Sequence, residues 1–375
     1  MIIGFDAKRV YNNFTGLGNY CRTLLHNLAE FYPGNDYYLY TPRTRHTAET
    51  AEFLTNRNFK NKLPKTKLKS LWRSFLINQD LKKDKTSIYH GLSHEIPFRI
   101  QKTGIKTVVT IHDLIFKHYP DTYGFIDRSI YDIKFRYACE NADKVVAISE
   151  STKRDIVQFY DIAPEKIEVI YQSFNPLFLN NLSEIEIKVV LQQYKIPTDY
   201  LLYVGSVIER KNLLTILKSY LLLPPDLQIP LVVVGRGGAY KKQMQEYVQK
   251  IGIASRVIWL DNLDNNYHLH ALYCGAQAFI YPSVFEGFGL PVVEALLSQT
   301  PVITSNVSSL PEAAGKHSLC IEPTNFEQMS AAIKTVLTNT PMREKMILEG
   351  RKYALDNFSA QHTAQQLMDL YKTLK

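Results

Sequence analysis

The segment FEGFGLPVVEAL, residues 285–296, sets two carboxylates, Glu286 and Glu294, eight positions apart around a Gly-Phe-Gly-Leu-Pro core. Pro291 suits the first helical position, where its missing N–H costs nothing, and Gly287 and Gly289 let the preceding chain bend and come close to a ligand. The pattern predicts a helix starting near Leu290, with Glu294 in its first turn and Glu286 in the loop before it. Both carboxylates then flank a helix start that offers unsatisfied N–H donors. A diphosphate could accept those N–H bonds while the carboxylates accept bonds from sugar hydroxyls. Compensation of the helix dipole would explain Glu294, but neither the glycines nor Glu286.

A diphosphate also needs cations. VIERKNLL, residues 207–214, places Arg210 and Lys211 directly after the apolar run YLLYVG, which ends at Gly205. An Arg-Lys pair alone is usually solvated surface; beside the 286–294 segment it reads as a phosphate clamp. A second glycine-rich stretch, TGLGNYC (residues 15–21), contains Gly16 and Gly18 but lacks the third glycine of a dinucleotide fingerprint. About nine residues separate it from the first apolar run, so a nicotinamide oxidoreductase is disfavoured. The stretch can present backbone N–H groups to an anion at the start of a helix from Gly18, although a plain helix cap explains these residues better on their own. His112, at the end of TVVTIH, reads by itself as a satisfied structural histidine. His94-Glu95 lacks the second histidine of a zinc protease motif.

These residues need a scaffold that brings strand ends together. IIGFD (2–6), TVVTIH (107–112) and KVVAIS (144–149) read as buried strands separated by helical patterns at Gly18–Phe31 and Phe125–Asn141. After a polar, irregular region around Asn175–Asp199 the rhythm restarts with YLLYVG (200–205), LVVVG (231–235), VIWL (257–260), AFIYP (278–282) and PVIT (301–304). This is the alternation of parallel α/β sheets, and 375 residues suit two such domains joined near residues 175–198. Ligands in such sheets favour the carboxyl ends of the strands, where the quoted glycines and cations fall.

Composition narrows the class further. Hydrophobic residues are 45% and charged residues 21%, a globular balance. MIIGFDAKRV lacks the long apolar region of a signal peptide, and no apolar run approaches the ~20 residues of a membrane span. Both observations point to a cytoplasmic protein. Cys21, Cys139, Cys274 and Cys320 are scattered, which favours buried reduced thiols over disulfides or a metal site. Much of the +8 net charge falls between Lys62 and Lys85. Within that stretch Leu68, Leu71, Trp72, Phe75 and Leu76 share a helical face, which either packs on its own domain or lies in an anionic membrane surface. No nucleic-acid reader motif accompanies the charge.

The quoted segments YVGSVIERKN, VGRGG, LYCGAQAFIYPSVFEGFGLPVVEAL and PVITSNVSSLPEAAG resemble family 4 of the retaining glycosyltransferases. TGLGNY, YHGLSHEIP, VVTIHDL and VVAISEST resemble its mannosyltransferase-like branch. The resemblance implies the GT-B fold: two facing Rossmann-like domains with parallel sheets, here residues 1–175 for the acceptor and 198–358 for the nucleotide-sugar donor. A C-terminal helix, within residues 359–375, would cross back to the first domain. It further implies that Glu286 contacts donor-sugar hydroxyls, that Glu294 binds the ribose, and that Lys211 with Arg210 binds the diphosphate. Gly205 would lie against the donor, and Gly287, Phe288, Gly289 and Leu290 would bring backbone amides to it. Gly16 and Gly18 would close over it from the first domain, and His112 would face the reacting sugar. Where many members carry an arginine after the strand-end glycine, this chain has Ser206, and Arg210 would supply that charge.

The expected chemistry is retaining transfer of a hexose, with GDP-mannose the favoured donor and UDP-sugars next, to a glycan or lipid-linked acceptor of a cell-surface polysaccharide. No D-x-D motif is present, so the expectation is no metal and no other cofactor, with Lys211, Arg210 and the helix start meeting the charge of the leaving diphosphate. Contact with the cytoplasmic membrane face through residues 62–85 would be peripheral. A sugar-nucleotide epimerase, a pyridoxal-dependent phosphorylase of related fold and a non-catalytic nucleotide-sugar-binding partner remain alternatives. Product analysis, cofactor absorbance and a turnover assay separate them.

Overall fold

The computed structural model describes residues 1–375 except Asn262, Asp264 and the side chain of Ser70. The chain divides into two compact units, Met1–Ser173 with Phe358–Lys375, and Phe174–Asn357.

The first unit is built on seven parallel strands: β1 (Ile2–Asp6), β2 (Asp36–Tyr40), β3 (Phe59–Lys62), β4 (Ile88–Gly91), β5 (Lys106–Ile111), β6 (Lys144–Ala147) and β7 (Ile167–Val169). Their order is β3-β2-β1-β4-β5-β6-β7, so the winding direction reverses between β1 and β4. Register sets Phe5 beside His90, and His90 beside Val108. Val108, Val109 and Val145 are fully buried, as strands covered on both faces require. The helix Gly16–Phe31 packs against the C-terminal helix Ala360–Thr373, which therefore belongs to this unit. Tyr371 of that helix is buried and its hydroxyl lies 2.6 Å from Nδ1 of His90.

The second unit carries six parallel strands: β8 (Leu201–Val204), β9 (Leu231–Val234), β10 (Val257–Leu260), β11 (Ala278–Tyr281), β12 (Val302–Ser305) and β13 (Leu319–Ile321), ordered β10-β9-β8-β11-β12-β13. Its order also reverses at the first strand, between β8 and β11. Leu213, Ile216 and Leu217, from the helix Leu213–Tyr220, pack with Leu231, Val233, Met329 and Ile333 in one apolar core.

Several local expectations are corrected. The region 175–199 is not irregular: Ser183 and Glu186 form a reciprocal capping box that starts the helix Glu184–Gln193, whose Val190 and Leu191 are buried. The helix expected from Gly18 begins at Gly16, so the glycine-rich stretch is a first turn and not a loop. The helical face at 68–76 does not hold together either, because Trp72–Leu76 forms a π turn between Lys69–Leu71 and Ile77–Lys83. Its wider turn rotates the pattern. Trp72 is only 3% exposed and its Nε1–H donates to Asp80 Oδ2 at 2.6 Å, while Leu68, Leu71, Phe75 and Leu76 stay exposed. All four cysteines are free thiols, but only Cys21 and Cys139 are buried; Cys320 is exposed on the edge strand β13. Among the described residues, no helix is long and apolar enough to cross a membrane.

Candidate functional site

In the second unit the chain leaves β8 at Gly205, whose φ of 147° leaves room for the Lys211 side chain; a Cβ there would sit 3.1 Å from Lys211 Cδ. A short 3-10 turn, Glu209–Lys211, followed by Asn212 in the left-handed region, sets Arg210 and Lys211 before the next helix. Asn212 is fixed in turn by its side-chain amide, which donates to the carbonyl oxygens of Pro282 and Pro323. The backbone N–H of Val284 donates to the Arg210 carbonyl at 2.9 Å, tying this turn to the loop after β11.

Glu286 lies in that loop and is gripped from several sides. Arg210 Nη1 and Lys211 Nζ stand 2.9 and 3.0 Å from its Oε1. The hydroxyls of Tyr281 and Ser283 donate to the same oxygen at 3.0 and 2.8 Å. Arg210 also donates to the Phe285 carbonyl and Lys211 to the Tyr281 hydroxyl, over whose ring its ammonium sits at 4.6 Å. Burial alone would raise the Glu286 pKa, but the charges of Lys211 and Arg210 outweigh it and hold the carboxyl down at about 2. These hydrogen bonds and closest cation contacts fall on Oε1; Oε2 is the oxygen they do not use.

The backbone around Glu286 is held by two serines the sequence reading did not single out. Ser308 Oγ accepts from the Glu286 N–H at 3.0 Å, and Ser309 Oγ donates to the carbonyls of Glu286 and Phe288 at 2.8 and 2.9 Å. Both belong to the segment PVITSNVSSLPEAAG, whose residue types carry no chemical signal beyond the family resemblance. Gly289, at φ 114°, caps the helix Leu290–Leu297, and Pro291 occupies its first turn. Phe288 is buried and Leu290 partly so.

Glu294 is displaced from its expected position. The helix starts at Leu290, so Glu294 lies one turn in, beyond the reach of the terminal dipole. Its environment differs from that of Glu286: the Tyr273 hydroxyl donates to its Oε2 at 3.2 Å, and Val292, Val293 and Ala295 around it are buried. Burial, opposed only by that hydrogen bond, pushes its carboxyl up to about 7. The two glutamates of one segment therefore hold opposite protonation tendencies near neutral pH.

In the first unit, His112 follows β5. Its Nε2 lies 2.9 Å from the Leu92 carbonyl, which can only accept, so Nε2 carries the proton and Nδ1 is a bare acceptor. That Nδ1 is buried without a hydrogen-bond partner. Burial first, then the nearby Arg9 charge, pulls the His112 pKa down to about 4, the Leu92 bond acting the other way. Tyr20 meets the ring edge-on at 4.5 Å, and its hydroxyl lies 3.2 Å from Thr110 Oγ1, itself 2.8 Å from His90 Nε2. A hydrogen-bonded chain thus runs from Tyr371 through His90 and Thr110 to Tyr20, which packs on His112. Gly18 meets the backbone too closely for any side chain, since a Cβ would stand 1.8 Å from the Asn13 carbonyl oxygen. Gly16 is open, and the Gly18 N–H is taken by Asn13 Oδ1 at 3.0 Å. Among the described residues, no cluster of three His, Cys, Asp or Glu side chains has the arrangement of a metal site.

Comparison with known proteins gives these sites a context. Residues 191–353 match the family model "Glycosyl transferases group 1", and residues 14–176 match "Glycosyltransferase Family 4". The chain is 29% identical over 300 residues to O-antigen chain mannosyltransferase B of Escherichia coli, covering 77% of this chain and 75% of that one. It is 29% identical over 243 residues to O-antigen chain mannosyltransferase RfbU of Salmonella typhimurium, covering 65% and 63% of the two chains. Among solved structures, Anabaena HepE in complex with UDP superposes with a TM-score of 0.75 at 16% identity, over 99% of both chains.

Proposed function

We propose, from the premise that this chain belongs to family 4 of the glycosyltransferases and to its mannosyltransferase-like branch, that it moves mannose from a nucleotide-diphosphate sugar to a glycan or lipid-linked acceptor in cell-surface polysaccharide synthesis. GDP-mannose is the favoured donor because the matched relatives are named mannosyltransferases. The observation that carries the proposal is the Glu286 cluster: a carboxylate fixed in its ionised form on one oxygen by Lys211 and Arg210, with the other oxygen available to a sugar hydroxyl.

The proposed chemistry makes use of that geometry. As the sugar–phosphate bond breaks, its electron pair goes to the diphosphate, and Lys211 and Arg210 stabilise the developing charge in place of a divalent ion. Glu286 orients the sugar through its hydroxyls and is not needed as a nucleophile. The acceptor hydroxyl attacks from the face the diphosphate leaves, passing its proton to the departing phosphate, so the donor's anomeric configuration is kept. Glu294 binds the ribose hydroxyls. Phe288, Leu290, Gly205, Gly287 and Gly289 shape the wall along the donor. Within the first unit, the bare Nδ1 of His112 is suited to accept from a sugar hydroxyl.

The exposed apolar residues of the first unit suit an acceptor carried on a lipid. Leu68 is 63% exposed, and Phe125 and Ile126 are each 73% exposed on the helix Phe125–Asn141. Phe75 stacks on Phe98 at 5.0 Å, and Phe98 meets Tyr137 of that helix in a tilted contact at 4.6 Å. Lys65, Lys67, Lys69, Lys82, Lys83 and Lys85 are exposed on the same stretch as Leu68. Apolar side chains rimmed by lysines favour peripheral contact with an anionic bilayer.

The test is nucleotide release from GDP-mannose and UDP-sugars, with and without lipid-linked glycans, followed by NMR of the product anomer in excess chelator. Mannose transfer with retained configuration is the expected result. An inverted linkage overturns retention, and activity lost to chelator and restored by Mg²⁺ or Mn²⁺ overturns metal independence. Interconversion of donors without transfer selects the epimerase, and donor binding without turnover selects the non-catalytic partner.

A further inference from the structure

Open parallel sheets take ligands in the crevice where strand order reverses, outside the carboxyl ends of the strands. In the first unit that crevice lies between β1 and β4. Lys8 and Arg9 follow β1, Ser93 and His94 follow β4, and His112 follows the adjacent β5. The charges at this end do not balance. Asp6 and Glu95 are consumed by Arg73, at 2.5 and 2.8 Å, and Glu95 also by Lys134 at 3.3 Å. Among the described residues, Lys8 and Arg9 are left with no carboxylate partner, and the Arg9 side chain reaches only Ser93 Oγ, at 3.4 Å. Lys8 is half-buried, and burial together with the like charges of Arg73 and Arg9 pulls its pKa below the usual lysine range.

A second, independent feature lies in the same place. Nδ1 of His94 and Nδ1 of His112 are both buried without a hydrogen-bond partner, in rings 5.0 Å apart. His94 is held by stacking on Phe135 at 4.2 Å and sits at φ 64°, a strained backbone position for a residue other than glycine. Burial of an unpaired ring nitrogen is costly, and two side by side next to unpaired cations fit a ligand that brings both hydroxyl donors and negative charge.

We propose that this switch point holds a phosphorylated sugar of the acceptor: Lys8 and Arg9 bind its phosphate, and Nδ1 of His94 accepts a hydrogen bond from a hydroxyl of the attached sugar. The assignment rests on the first unit being the acceptor half of a transferase. The phosphate can belong to a lipid diphosphate headgroup or to a soluble glycosyl phosphate, since the recognising chemistry is the same.

Two measurements test it. In the first, inorganic pyrophosphate is titrated into the whole protein while the ring proton signals of His94 and His112 are followed by NMR. Both should shift saturably in the wild type and in the conservative Lys8→Arg, Arg9→Lys variant, and the shifts should vanish in Lys8→Gln, Arg9→Gln. Unmoved signals, or equal shifts in the charge-neutral variant, overturn the site. In the second, kcat/KM is compared for one glycan presented as isoprenyl diphosphate, as 1-phosphate and as an uncharged alkyl glycoside. Lys8→Gln, Arg9→Gln should lower the preference for a phosphorylated form over the uncharged one by about tenfold or more, the loss expected for a charge-assisted hydrogen bond. The phosphorylated form that suffers identifies the source, and an unchanged preference overturns the proposal. His94→Asn, which tolerates the left-handed backbone, should reduce kcat/KM for all three forms; unchanged values remove His94 from the site. Nucleotide release without acceptor reads the transferase assignment separately, so its failure is distinguishable from failure of the pyrophosphate titration.

Discussion

Glu294→Gln should make the free protein more stable and a poorer donor binder, with both effects set by pH. The folded carboxyl titrates near 7 because burial opposes its charge, against an ordinary value of 4.5. At 1.36 kcal/mol per unit the shift corresponds to about 3 kcal/mol, and partial solvent access brings the expected cost of the ionised form to about 1–2 kcal/mol. The sign follows from the raised folded pKa. Wild-type stability from this group is fully present below about pH 4.5, declines as pH rises, and is lost once pH passes 7. Glutamine keeps the shape, can accept the Tyr273 hydroxyl bond and does not titrate. The variant should therefore melt within about a degree of wild type near pH 4.5, and about 2–8 °C higher at pH 8 for a unit of this size. Thermal unfolding of both proteins without ligand, at the two pH values, measures it. Donor titration supplies the functional half: wild-type affinity should rise between pH 6 and pH 8 as the carboxylate forms to accept ribose hydroxyls, and the variant should lose that rise. A melting difference that is the same at both pH values would refute the environment assigned to Glu294.

Glu286→Ala should slow turnover by about a hundredfold, and it should destabilise by about 2–4 kcal/mol by removing the carboxylate that Lys211 and Arg210 both contact, read by kinetics and by denaturant unfolding. Because the Glu286 pKa is depressed to about 2, its stabilising contribution is present above about pH 4.5 and lost as pH falls toward 2, so acid unfolding of Glu286→Gln should be shallower over that window. Leu68→Ser with Phe75→Ser should reduce co-sedimentation with anionic vesicles and leave the melting temperature within a few degrees; binding equal to wild type removes this face from the membrane contact. Trp72→Ala should instead cost about 3–5 kcal/mol in unfolding free energy, as a buried aromatic. Gly18→Ala should destabilise the first unit by at least 1–3 kcal/mol, because the added carbon collides with the Asn13 carbonyl; wild-type melting would show that the Gly16–Phe31 helix starts elsewhere.

What could be read from the sequence follows from where the information resides. Runs such as TVVTIH and LVVVG are buried on both faces, so an uninterrupted apolar segment is itself the strand signal, and β5 and β9 lie where the runs predict. By contrast, DYYLY and IYHG carry their apolar character in tyrosine and histidine, and the strands Asp36–Tyr40 and Ile88–Gly91 went unread. Their polar atoms are matched by long-range partners, as in Tyr40 to Asp84 and His90 to Tyr371, and no local pattern encodes those. The face at 68–76 failed for a geometric reason: the expected spacing assumes 3.6 residues per turn, and one π turn rotates Trp72 inward. At the 286–294 segment the glycines and proline located the helix start to the residue. The partners that tune the two carboxylates come from β11, the 209–211 turn and the neighbouring helix Asn266–Gly275, and their convergence is a property of the fold alone.

That convergence explains why one short segment needs both glutamates and such a pliable backbone. Glu286 sits in a loop, where Gly287 and Gly289 free the chain to turn it between Lys211 and Arg210; the cations that keep it ionised are the ones proposed to meet the diphosphate. In the proposed reading a bound diphosphate would draw their charge away from Glu286 Oε1 while Oε2 accepts the sugar hydroxyl, so donor and carboxylate share the same cations. Glu294 sits on the helix, one turn deep, where no ion-pair partner lies among the described residues and burial raises its pKa to about 7, so that hydroxyl donors from a ligand would favour its ionised form. Exchanging the two environments would defeat both proposed roles: a neutral carboxyl at 286 would no longer balance the charge of Lys211 and Arg210, and a cation beside Glu294 would tie up the oxygen proposed for the ribose. A Lys211→Met variant separates these effects, because it should raise the Glu286 pKa toward the ordinary range while leaving the Glu294 titration where it is. Carboxyl carbon NMR across pH 2–8 would read both sites in one protein, and a Glu294 midpoint that follows the Lys211 change would overturn the independence of the two carboxylates.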